Sequence, residues 1–275
     1  MRDLLIRRRN LLMRKQEEEL NIRAVCFEAD GEQTVSITKV GSAPTIIMQY
    51  SYDGVTWDAW DLTPLPFGGS TKVYVRGVNN IRFGTDSSNY NKITFGTDSY
   101  VYVSGIIESL LDGENEKLIL NNSGILRNLF YRQTALRSAE NLRFEATSTG
   151  YNGNAVYAFV FAGCTNLLYA PKALSITKFS GGYECAAMFQ NCKSLVSAPE
   201  LPAVNLGGYC YRYMLQGCTN LKTIRCKAKV KAQGATELWL DAVATSGTFY
   251  GHSEYGWSSG KSGIPSGWEF VELTD

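Results

Sequence analysis

From Val25 onward, apolar and polar residues alternate with a period of two, the pattern of half-buried strands. Thr34–Thr38, Ile46–Tyr52 and Lys72–Arg76 each read as strands on that basis. Asp53-Gly54 places a tight turn between Tyr52 and Val55-Thr56-Trp57, and Pro64, Pro66 and Gly68-Gly69 form a loop. A short echo follows, Ile81-Arg82-Phe83-Gly84-Thr85-Asp86-Ser87 and then Ile93-Thr94-Phe95-Gly96-Thr97-Asp98-Ser99. Short strands broken by turn residues predict a small β-sandwich over residues 22–112.

Ahead of this module the period is helical. Leu4 and Leu5 recur as Leu11 and Leu12, which puts four leucines on one stripe. Arg7, Arg8, Arg9, Arg14 and Lys15 occupy the remaining surface, and Glu17 to Glu19 can pair back one turn. Two heptads do not make an autonomous coiled coil. Residues 1–21 are therefore expected to form a basic docking helix, with Leu4, Leu5, Arg7, Arg8, Leu11 and Leu12 meeting a larger partner.

The third pattern is a repeat, and it fills residues 113–226. Phe161-Ala162-Gly163-Cys164-Thr165-Asn166-Leu167, Phe189-Gln190-Asn191-Cys192-Lys193-Ser194-Leu195 and Leu215-Gln216-Gly217-Cys218-Thr219-Asn220-Leu221 align without gaps. A weaker copy has Phe130 as anchor, Gln133 in the cysteine place, then Leu136 and Ala139. Each unit reads as an anchor on a short helical turn, a turn ending in cysteine, and a brief strand led by leucine. Stacked units of that kind share one apolar core.

These units, with Ala170-Pro171 and Ala198-Pro199 behind them, resemble the leucine-rich repeats of the Bacteroides surface-protein A type. Asn191–Ala203 carries the likeness furthest, and Gly247–Tyr250 with Ser262–Trp268 is similar to the module that closes such arrays. The resemblance implies a mixed α+β chain: helix, sandwich, short leucine-rich solenoid, and a closing module over 227–275. The basic leader joined to such repeats is similar to proteins carried by tailed phages of gut Bacteroides, the crAss-like phages included. It implies a virion structural protein, assembled in the host cytoplasm, that docks on a portal, collar or tail component through residues 1–20. The repeats would then decorate the particle or bind a host-surface glycan or protein. The alternative reading is a bacterial cell-surface adhesin.

Composition narrows the chemistry. The 275 residues carry a net charge of +1, with the leader at +3, so no whole-chain coat for nucleic acid is expected. The first fifteen residues hold apolar runs of only three, short of a secretory signal, and no run is long enough to span a membrane. Seven cysteines are expected to stay reduced, with Cys164, Cys192 and Cys218 forming one column. The single histidine, His252, excludes multi-histidine metal sites and has no nucleophile elbow beside it. Gly256–Ser262 has three residues where a phosphate loop needs four, so Lys261 is read as a solvated loop lysine. The Gly-Thr-Asp-Ser turns are read as turn chemistry rather than calcium sites, and Trp57 and Trp60 as packing residues. No catalytic residue, metal or cofactor is expected. The candidate ligand surface is Tyr209, Tyr211 and Tyr213, and association between copies of the chain is expected to add stability.

Overall fold

The computed structural model describes residues 22–67, 71–96, 99–114, 120, 122–146 and 154–274. Its first half is a two-layer sandwich. One layer comprises β1 (Val25–Ala29), β3 (Met48–Ser51), β4 (Asp58–Trp60), β6 (Lys72–Gly77), β8 (Val101–Ile106) and β9 (Leu136–Arg143), in the order β4-β3-β6-β1-β8-β9. The other comprises β2 (Thr34–Val40), β5 (Leu65–Pro66) and β7 (Tyr90–Phe95), ordered β5-β2-β7. Val25 and Phe27 of β1, Val73 and Val75 of β6, and Ile93 and Phe95 of β7 fill the space between. The turn after β3 is held by Asp53, whose carboxylate accepts the N–H groups of Val55 and Thr56 and the Ser51 hydroxyl. Of the two echoed segments only the second is a strand, since Gly84 makes no more than an isolated bridge to Tyr90.

The second half is a stack of coils with two sides. On one side lie short parallel strands: β10 (Ser197–Leu201), β11 (Thr223–Cys226), β12 (Gly247–Gly251) and β13 (Trp268–Glu272), paired in that order. The other side was expected to be helical turns, and this is where the expectation of a mixed α+β fold fails. Strands make up 32% of the structure, and the described residues contain no α-helix. Two single 3₁₀ turns, Ile107–Leu110 and Ser253–Tyr255, are the exceptions to strand and loop among them. The docking helix expected over residues 1–21 lies outside the described residues.

What replaces the helical turn is a ribbon of consecutive tight turns. In the second coil the N–H groups of Ala155, Tyr157, Phe159, Phe161 and Gly163 donate sideways to the next coil, to the carbonyls of Gly182, Glu184, Ala186, Met188 and Gln190. The residues between them donate locally, three positions back, as Ala158 does to Ala155 and Cys164 to Phe161. An α-helix would spend every N–H four residues back. Here half of them go to a neighbour, so helical dihedrals cannot persist, and every fourth residue turns left-handed. Ala155, Phe159 and Gly163, then Tyr183, Ala187 and Asn191, then Tyr209, Tyr213 and Gly217 all have positive φ. A non-glycine residue costs about 1–2 kcal/mol there, which the lateral hydrogen bonds, about 1 kcal/mol each, and full burial of the inward side chains offset.

The same ladder runs on past the last cysteine repeat. Tyr211, Tyr213, Leu215 and Gly217 donate to Ala235, Glu237, Trp239 and Asp241, and Gly234, Leu238 and Ala242 carry the three positive φ values. A fifth coil, anchored on Leu240, thus occupies the start of the stretch expected to close the array.

Sandwich and coils share one core. β8 pairs in parallel with β9, which carries the large sheet onto the strand side of the stack. The small sheet meets the ribbon side, where Phe83 and Ile93 donate backbone N–H groups to Ile125 and Leu129. A column of phenylalanines crosses the seam. Phe95 stacks on Phe130 at 6.3 Å, Phe130 on Phe161 at 5.4 Å, and Phe161 on Phe189 at 5.1 Å, with Phe27 edge-on to Phe95. The seam also buries Glu108, whose carboxylate accepts the Tyr157 hydroxyl at 2.5 Å and the N–H groups of Glu145 and Ala146. Burial raises its pKa above the ordinary glutamate range, against those three bonds, which pull it down.

Because the core is continuous, Phe130→Ala should cost about 3–5 kcal/mol and destabilise both halves together. Hydrogen exchange followed by mass spectrometry should show β1 and the 209–217 ribbon losing protection in parallel; loss confined to the coils would contradict a shared core. A raised Glu108 pKa means the folded state holds a proton that the unfolded state releases. Stability from this group is therefore full below the unfolded glutamate range and is lost as pH rises through the folded value. Urea midpoints should show the wild type losing ground to Glu108→Gln as pH climbs from acid to neutral, and a difference that is flat in pH would refute this.

Candidate functional site

On the ribbon, side chains follow a period of four, two inward and two outward. Cys210 and Tyr211 point in, Arg212 and Tyr213 out, and Met214 and Leu215 in again. This period separates the three candidate tyrosines. Tyr211 is fully buried, edge-on to Phe179 at 5.4 Å and stacked over Trp239 at 6.3 Å. It therefore leaves the proposed ligand surface and joins the core. Tyr209 and Tyr213 stay on the outer face.

Around them the outer face is built in register from coil to coil. Tyr183 occupies the position of Tyr209 one coil earlier, and the two rings lie parallel, 4.9 Å apart. The Arg212 guanidinium sits 4.7 Å from the Tyr213 ring centre and 5.6 Å from that of Tyr209. It also donates to the Tyr213 hydroxyl and to Glu237, each at 3.0 Å. Gly234 takes the tyrosine position in the fifth coil; a Cβ there would come within 2.2 Å of the Tyr209 ring. The tyrosine stack therefore ends at Gly234. Beyond it lie Lys231, Tyr255 and Trp257, with the Lys231 ammonium 5.3 Å from the centre of the Tyr255 ring. Sequence reading missed these three, because their residues come from separate turns that only coil stacking brings side by side.

The cysteine column is a packing device. Cys164, Cys192 and Cys218 each donate their thiol to the carbonyl of the previous coil's anchor, Phe130, Phe161 and Phe189, at 3.0, 3.1 and 3.0 Å. Gln133, in the same place in the first coil, instead accepts the Phe95 N–H at 3.0 Å and so ties the stack to the sandwich. Burial pushes the thiols of Cys164, Cys218 and Cys226 up to about 12, and those of Cys185, Cys192 and Cys210 well above their ordinary value.

The remaining candidates resolve into structure. His252 is buried with Nδ1 3.9 Å from Glu272, and Glu272 also accepts the Ser253 N–H at 3.1 Å, closing the corner after β12. Lys261 pairs with Asp241 at 2.8 Å, which lowers the Asp241 pKa. Asp86 accepts from the N–H groups of Ser88 and Asn89 within its own turn. The Trp60 indole donates to the Thr63 carbonyl from a buried position, while Trp57 lies under the Arg76 guanidinium at 4.2 Å. Among the described residues no cluster of three or more His, Cys, Asp or Glu side chains could hold a metal, and no helix is long and apolar enough to cross a membrane. Leu4, Leu5, Arg7, Arg8, Leu11 and Leu12 lie outside the described residues.

No protein-family model, curated protein or solved structure matches this chain.

Thiols this deeply buried and this weakly acidic should not react while the protein is folded. At mildly alkaline pH a colorimetric disulfide reagent should leave Cys164, Cys185, Cys192, Cys210, Cys218 and Cys226 untouched in the native chain and titrate all seven cysteines after denaturation. Rapid native labelling of Cys164, Cys192 or Cys218 would show that the column opens.

Proposed function

We propose that this chain is a non-enzymatic structural protein of a phage virion, a collar, tail or fibre component that presents its coil stack outward for decoration or attachment to a host surface. The observation that carries the reading is the polarity of the body. The chain enters at β1 in the sandwich, and the coils lead away from it to the outer ladder of Tyr183, Tyr209, Arg212 and Tyr213. Attachment at one end and a recognition surface at the other is the arrangement that displayed proteins need. The likeness of the repeats to surface-protein leucine-rich repeats supports the same reading. In this reading the basic leader, residues 1–20, is the segment that engages the particle.

The outer ladder is suited to recognition because its aromatic groups are held in place before any ligand arrives. Tyr183 and Tyr209 support each other face to face, and Arg212 is fixed by Glu237 and the Tyr213 hydroxyl. Pre-ordered aromatic and arginine side chains lose little freedom on binding, which is why they dominate protein contact surfaces.

Deleting residues 1–20 should remove the protein from purified particles, as judged by mass spectrometry, while the melting transition of the body stays where it was. Full incorporation of the truncated chain would defeat the docking assignment, and absence of the full-length protein from particles would defeat the virion assignment.

A further inference from the structure

Two concavities among the described residues differ in size, and their charges separate them. The larger, about 890 Å³, lies between the sandwich and the first coils and neutralises itself, with Lys72 paired to Glu28 and Lys172 to Glu140. Nothing in it calls for a charged ligand.

The smaller cavity, about 280 Å³, is at the far end of the stack and is lined by Lys231, Gly234, Thr236, Glu237, Tyr255 and Trp257, with Ser258 and Ser262 at its edge. Glycine at 234 ends the tyrosine stack, because the Tyr209 ring lies directly over it, and the cavity opens beside that glycine. Its back wall is rigid: Trp257 is sandwiched between Trp239 at 5.6 Å and Tyr255 at 3.8 Å. The exposed Lys231 spends one proton on the Gly256 carbonyl at 2.5 Å, and no carboxylate among the described residues pairs with it. Glu237, by contrast, is already neutralised by Arg212 at 3.0 Å. The cavity thus carries one uncompensated positive charge. Hydroxyl chemistry surrounds it. The Ser262 oxygen accepts the Leu238 N–H, which leaves its own proton to donate, and the Glu237 carboxylate has acceptor capacity beyond its arginine.

We propose that this cavity binds a single carboxylate-bearing sugar residue, a uronic acid, at the end of a glycan. The carboxylate would take the two remaining protons of Lys231, the ring hydroxyls would meet Glu237 and Ser262, and the C–H face would lie against the half-buried edge of Trp257. A cavity at the small end of ligand sites fits one ring rather than a chain. The inference rests on the display reading above and names the ligand class of its distal end.

The test is a titration of the full chain with glucuronic acid and with glucose, read by isothermal titration calorimetry. Glucuronic acid should bind saturably and at least about tenfold more tightly than glucose, the value of one charge-assisted contact. Lys231→Gln, at an exposed position, should bring glucuronic acid down to the level of glucose while the chain keeps a cooperative melting transition. No saturable binding, equal binding of the two sugars, or a Lys231→Gln variant that binds as the wild type does would each overturn the assignment. Inorganic phosphate or acetate competing as well as the sugar acid would overturn it too, in favour of a plain anion site. Because the titration needs no particle, its failure leaves the virion reading standing, and loss of particle incorporation leaves the sugar site untouched.

Discussion

Every coil in this protein depends on its neighbour for half of its ribbon hydrogen bonds. Along the turn side, alternate N–H groups have no partner within their own coil and reach the carbonyls of the next one, five at a time between the second and third coils. A lone coil would leave those groups in water and hold several non-glycine residues at positive φ with nothing to offset the strain. Stacking removes the first cost and offsets the second. It also brings the anchor side chains face to face, so the phenylalanine column and the hydrogen-bond ladder enforce the same register.

That dependence raises the question of what the first coil stacks on, and the sandwich supplies the answer. Its large sheet offers β8 to β9, its small sheet offers N–H donors to the ribbon carbonyls, and Phe27 and Phe95 extend the aromatic column. Gln133 marks the junction. Where later coils place a thiol that bonds the preceding anchor, the first coil has an amide long enough to reach the Phe95 backbone. At the opposite end, Trp239 and Trp257 continue the stack, and β12 and β13 complete the strand side. Both ends are therefore closed by pieces that are not themselves cysteine repeats.

Much of this was legible in the residues. The cysteine spacing gave the coil register, and Cys164, Cys192 and Cys218 do share one column. Thr34–Thr38 and Lys72–Arg76 fall within strands β2 and β6. The fifth coil went unseen because Leu240 has no cysteine three positions on, although its ladder is the same. The site was less legible than the fold. Three tyrosines at alternate positions look equivalent in a sequence, and only the four-residue period of the ribbon turns Tyr211 inward while Tyr209 and Tyr213 stay out. Lys231, Tyr255 and Trp257 form one corner only after the last coils have stacked.

By itself the sequence determined which positions are apolar, where they recur and how often, and so the number of cysteine coils and the alternation of the first strands. The tertiary structure decided what kind of turn those coils use. An apolar residue every three or four positions serves a helix and a turn ribbon equally well. The two differ in whether a backbone N–H finds its partner four residues back or in the adjacent coil, and every non-proline residue carries the same N–H. The choice is made by the neighbouring chain, which a linear pattern does not contain.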